Sequence, residues 1–247
     1  MQEEKNKAKL FSFQLIVIGA GGTGTYFLKE ASRYLAGLRK KSVESFSIYD
    51  GDSVEAKNLD RQCFQEEDIG QNKACVMAEI LSENFAIPWI SYPTYIENKK
   101  DVKLQKDMVP IIIGAVDNHA CRMVLEDLFA SLQSVFYLDS ANEYTSGEVI
   151  FSGKINGKML APLRSFYFPD IKKSEKSRTE MSCAELNQSA PQHICTNMAA
   201  GNILLRELSS LCDGIFHGGM VCFDTERYYQ EYIPANVENS NAGGCLL

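Results

Sequence analysis

The stretch that most constrains this chain is Gly19-Ala20-Gly21-Gly22-Thr23-Gly24, because of what flanks it. Phe13–Ile18 before it is a short, apolar, β-branched run, and from Tyr26 onward Phe27, Leu28, Ala31, Leu35 and Leu38 recur at helical spacing. The pattern predicts a strand, a glycine turn and a helix. A G-x-G-x-x-G in that setting lets the backbone approach a phosphate, and the helix N-terminus adds unpaired N–H groups and a favourable dipole. Gly19, Gly21, Gly22 and Gly24 are therefore candidate nucleotide contacts, against the plainer alternative of a glycine turn that only packs.

The alternation continues. A second strand, Ser45–Tyr49, ends at Asp50, an acid placed to bond a ribose hydroxyl. A helix follows over Asn72 to Phe85 with Met77, Ile80, Leu81 and Phe85 inward. Val109–Val116 then reads as a buried strand, Cys121, Val124, Leu125, Leu128, Phe129 and Leu132 trace one helix face, and another strand runs over Val135–Asp139. This βαβα order predicts an α/β fold, Rossmann-like and doubly wound, with a mainly parallel sheet.

Beyond Asp139, Gly147, Gly153 and Gly157 punctuate short alternating runs. Residues 165–190 read as a mobile crossover loop, and a helix resumes from Thr196 to Leu211 carrying Met198, Ile203, Leu204, Leu208 and Leu211. The alternating run from Met220 to Ile233 predicts terminal antiparallel strands, and residues 236–247 a flexible tail. The whole reads as a single nucleotide-binding domain over 1–247.

Charge and composition narrow the function. The 247 residues hold 25 Lys and Arg against 32 Asp and Glu, a net charge of −7, which argues against a protein that neutralises many DNA phosphates. The longest apolar stretches are far shorter than the roughly 20 residues of a membrane span. The first ten residues carry no apolar signal-like core, so a cytoplasmic protein is expected. Eight cysteines without a C-x-x-C pair fit neither a disulfide framework nor a four-thiolate zinc site, and read as small buried hydrophobes.

The glycine turn and Asp50 alone would suit an NAD-linked oxidoreductase. The segment from Asp50 to Gln62, followed by Gly70-Gln71-Asn72-Lys73, suits ATP better. Cleaving a triphosphate calls for cationic donors on the phosphoryl oxygens and a divalent metal; Arg61 offers a bidentate fork and Lys73 a compact point charge. At the end of the third long strand, Asp117 is a candidate ligand for Mg2+ between phosphates and Asn118 a nearby polar contact, although both residue types also cap helices.

Together GAGGTG, D-x-D-x-V-x-x-x-N-L-x-R-Q, G-Q-x-K and the strand-end V-D-N resemble the ThiF/MoeB/HesA superfamily, the bacterial relatives of ubiquitin-activating enzymes. Leu138-Asp139-Ser140-Ala141-Asn142, Ser182-Cys183-Ala184-Glu185 and residues 192–197 are similar to the ThiF-type member of PRTRC cassettes of mobile elements. The resemblance implies adenylation of a carboxylate by ATP, usually the C-terminal glycine of a small ubiquitin-like or sulfur-carrier protein, with release of pyrophosphate. It implies Gly22 on the phosphates, Asp50 on the ribose, Asn58, Arg61 and Lys73 on the triphosphate, and Asp117 on magnesium. It also implies a homodimer.

Departures from the superfamily pattern shape the expectation further. With no C-x-x-C pair, no structural zinc is expected. The arginine that relatives lend across the dimer is absent before the first strand, where only Lys5, Lys7 and Lys9 stand. Cys183 falls where relatives place a thiol that receives the activated acyl group, and an inert thiol is the alternative. Cys195 is a weaker candidate nucleophile and His193 with Cys195 a weak metal pair, Gly243-Gly244 reads as part of the tail, and the charged run 172–178 as a solvated face. Two other functions stay open: a nucleotide-binding assembly component without turnover, and an NAD-linked oxidoreductase.

Overall fold

The computed structural model describes residues 11–37, 42–172 and 192–235. The chain opens with β1 (Phe13–Ile18) and α1 (Gly22–Gly37), then β2 (Val43–Tyr49), α2 (Lys73–Phe85), β3 (Ile90–Tyr92), β4 (Val109–Gly114), α3 (His119–Ser131) and β5 (Val135–Asn142). β6 (Ser146–Ile155), β7 (Lys158–Ala161), the one-turn α4 (Arg164–Tyr167), α5 (Ile194–Cys212), β8 (Gly219–Asp224) and β9 (Tyr229–Ile233) complete it.

The strands form one sheet in the order β3-β2-β1-β4-β5-β6-β8-β9, with β7 paired to β6. From β3 to β5 the pairs are parallel; from β5 onward they are antiparallel. The chain leaves β1 toward β2 and returns to β4 on the other side, so a crevice opens at the carboxyl ends of β1 and β4, where such sheets receive ligands.

Strand β1 is buried on both faces, and its alternation divides two cores. Leu15 and Val17 join Phe27, Leu28, Met77, Leu81 and Leu204 from α1, α2 and α5. Ile16 and Ile18 join Leu125, Leu128 and Phe129 of α3 on the opposite face. Continuous apolar runs such as 15–18 and 111–113 are what a doubly covered parallel strand requires.

Several expectations need correction. The first helix begins at Gly22, four residues before its apolar periodicity starts at Tyr26, because Gly22 and Gly24 lie in its first turn. The strand expected to reach Val116 ends at Gly114, and Ala115 N gives the last ladder bond to β1, to Ile18 O at 2.9 Å. The glycines at 147 and 153 do not break the chain into short runs: they lie inside the ten-residue β6, where Phe223 and Phe216 pack over them. Met198 faces outward at 50% exposure, and of the six described cysteines only Cys121 is buried. The expected crossover loop begins with α4 and a 3-10 turn, Pro169–Lys172; its remainder to 190 and the expected tail lie outside the described residues.

Candidate functional site

The glycine turn is built by close approach. Gly19 has φ +96°, a left-handed value that side chains disfavour, and a β carbon on Gly24 would come within 1.9 Å of Gly19 O. Gly24 thus lies behind the turn, closing helix onto strand, while Gly19, Gly21 and Gly22 line a cleft of about 1100 Å³. Gly22 has a different neighbour. A β carbon there would meet the side chain of Asn197 from α5 at 2.1 Å. Asn142 Nδ2 donates to Thr23 Oγ1 at 2.6 Å and lies 3.4 Å from Asn197 Oδ1, so β5 and α5 brace the first turn of α1.

Asp50, Asn58, Arg61, Lys73, Asp117 and Asn118 all line the same cleft. Asp50 already serves the backbone: its carboxylate accepts from Ala20 N at 2.6 Å and Asp52 N at 2.8 Å. Burial pushes its carboxyl above the ordinary aspartate value, with the charge of Lys73 pulling the other way. Asn58 Oδ1 accepts from Glu55 N at 2.9 Å, which makes this side chain the tie of a 3-10 turn as well as a cleft wall. Asn118 caps α3 through Cys121 N at 2.8 Å, so the capping role anticipated for this residue is met.

The two cations differ in setting. Lys73, on the first turn of α2, is buried and lies 3.2 Å from Asp52 Oδ2. Arg61 is half-buried and donates to Gln192 Oε1 at 3.3 Å. Asn72 holds the loop between them and Asp50: its Oδ1 caps α2, and its Nδ2 donates to the carbonyls of Asp50 and Asp52 at 2.9 and 3.0 Å. Cys183 lies outside the described residues. His193, considered with Cys195 as a weak candidate, is the N-cap of α5, its Nδ1 facing Cys195 N at 3.2 Å.

Sequence reasoning missed a second charged group at the β5–β6 side. Asp139 is sandwiched between Arg122 and Arg164, and Arg164 Nη1 also donates to Glu148 Oε1 at 2.5 Å. Arg122 Nη2 further bonds the carbonyls of Val116 (2.6 Å) and Ser140 (3.0 Å), tying the ends of β4 and β5 together. Asp139 stood within a quoted motif without a role, and nothing local signals Arg164. The acids and arginines meet only in the folded sheet.

The fold is a Rossmann-like α/β sheet with a cleft at the carboxyl ends of β1 and β4. The ThiF family pattern matches residues 1–224, and the chain belongs to that family. It is 28% identical over 187 residues to "Adenylyltransferase and sulfurtransferase uba4" of Aspergillus clavatus, covering 73% of this chain and 36% of that protein. It is 30% identical over 129 residues to the "NEDD8-activating enzyme E1 catalytic subunit" of Schizosaccharomyces pombe, covering 51% and 27%. The chain therefore spans about a third of the length of these curated relatives. Among solved structures, E. coli MccB with ATP superposes with a TM-score of 0.66 at 15% identity, covering 96% of this chain and 68% of that one. PaaA gives 0.61 at 12%, covering 92% and 65%.

Proposed function

We propose that this chain activates a carboxylate with ATP, forming an acyl adenylate and releasing pyrophosphate. The observation that carries the reading is the placement of Arg61 and Lys73 in one cleft with the Gly19–Gly22 turn and Asp117. A substrate carboxylate is ionised at neutral pH, so no general base is needed. Its oxygen forms a bond to the α-phosphorus while the bond to the bridging oxygen breaks, and pyrophosphate leaves with that electron pair. The helix N-terminus receives phosphate charge, and Arg61 and Lys73 stabilise the charge that grows on the leaving group.

The donor set suits magnesium. Among the described residues no group of three or more His, Cys, Asp or Glu is placed to hold a metal. Mg2+ ordinarily takes one or two carboxylates, water and substrate phosphates, and Asp117 is the residue that would hold it. When bound, it neutralises phosphate charge.

The acyl substrate proposed is the C-terminal glycine of a small ubiquitin-like or sulfur-carrier protein, in line with the uba4 and NEDD8-activating relatives. A homodimer, a cytoplasmic setting, acyl transfer to Cys183 and kinship with the PRTRC-type members belong to the same proposal. Pyrophosphate exchange into ATP, driven by a peptide ending in Gly-Gly or its carrier protein, is the test. Exchange should fall by about a hundredfold or more in Asp117→Ala and Arg61→Ala, and undiminished exchange in both would overturn the reading.

A further inference from the structure

Lys73 reaches the cleft from a buried position and does so beside a carboxylate. Its ammonium is 3.2 Å from Asp52 Oδ2, while Asp52 Oδ1 accepts the Tyr95 hydroxyl at 2.5 Å, a short charge-assisted bond. Tyr95 is itself fixed twice. Its hydroxyl is held by Asp52, and its ring packs directly on Gly51, where a β carbon would come within 2.6 Å of Cγ and Cδ2. The backbone of Asp52 is pinned as well, its carbonyl accepting from Lys73 N and Asn72 Nδ2, both at 3.0 Å.

We propose that Tyr95 is a positioning residue for Lys73, acting through Asp52. The inference rests on the adenylation reading for the use to which Lys73 is put. A flexible ammonium on a four-carbon stem carries three donors and no preferred direction. Its placement is set by what it meets. With Oδ1 committed to the phenol, Asp52 offers Lys73 one oxygen in one place, which fixes the ammonium against α2 and directs its remaining donors to the phosphate side of the cleft. The glycine at 51 is part of the device, because any side chain there would lift the ring and withdraw the hydroxyl.

The test is a double-mutant cycle in the full chain. ATP with magnesium is titrated into the unaltered protein, Tyr95→Phe, Lys73→Ala and the double variant. Tyr95→Phe should weaken binding about threefold to tenfold, the share of a charge-assisted hydrogen bond that is passed on to Lys73, and should have no further effect once Lys73 is gone. The same factor in both backgrounds, or no effect in the first, would overturn the proposal. A second readout needs no nucleotide: acetylation of Lys73 by a small acylating reagent, measured by mass spectrometry relative to exposed Lys29. Labelling should quicken several-fold in Tyr95→Phe, Asp52→Asn and Gly51→Ala; an unchanged ratio in all three also overturns it. If the unaltered chain binds no ATP, the adenylation reading falls, and the labelling ratio still decides whether Tyr95 holds Lys73.

Discussion

Two charged regions border one cleft and are built on opposite terms. At the β5–β6 side, the side chains of Asp139, Arg164 and Arg122 are 1%, 2% and 5% exposed, and they compensate one another in a dry setting. At the β1–β2 side, Asp50 is anchored by backbone N–H groups, Lys73 leans on a partly open Asp52, and Arg61 meets a neutral amide. Charge spent on a buried counter-charge holds strands together. Charge held by amides and half-exposed partners is kept for something that enters.

That contrast can be broken by substitution. The largest effect is expected from Arg164→Ala, which leaves Asp139 buried with one partner fewer and should cost about 3–5 kcal/mol in urea unfolding. Arg61→Ala should do the reverse, leaving unfolding within about 0.5 kcal/mol while pyrophosphate exchange falls by about a hundredfold or more. Equal destabilisation by both would erase the distinction.

Asn72→Ala sits between the two. It removes the cap of α2 and the amide that ties the carbonyls of Asp50 and Asp52, and should cost about 1–2 kcal/mol in stability together with a measurable loss of ATP affinity. Stability loss alone would assign Asn72 to the architecture.

The smallest effect concerns a third buried acid, Glu207, which is hydrogen-bonded to a histidine. Its carboxylate accepts from His217 N at 3.0 Å and pairs with the ring at 2.7 Å, yet burial still pushes its pKa above the ordinary glutamate value. The folded chain then binds this proton more tightly than the unfolded chain does. Its contribution is full below the ordinary glutamate range and is lost as pH rises through the raised value, with a slope no steeper than about 1.4 kcal/mol per pH unit. Glu207→Gln should flatten unfolding free energy against pH in that window. An unaltered slope would show that His217 offsets the burial of Glu207 completely.

The sequence carried the parallel half of the fold because each element there is locally periodic: β1 was bounded at Phe13 and Ile18, and α2 was off by its cap. The glycine turn, Asp50, Arg61, Lys73 and Asp117 were legible for a related reason, since strand-end motifs report where a doubly wound sheet puts its crevice. What escaped depends on pairing across the sheet. β6 hides glycines that exist to admit Phe216 and Phe223, and its role is visible only with β8 beside it. Tyr95 follows a three-residue edge strand with no periodicity of its own, and it becomes informative only where its ring lands on Gly51.

The brace between Thr23 and Asn197 spans 174 positions of sequence. During synthesis the glycine loop leaves the ribosome early, but its brace arrives with α5, near the end of the described chain. A nascent protein therefore displays the motif long before the first turn of α1 is braced, and protection of that turn from hydrogen exchange should report on chains in which α5 has docked.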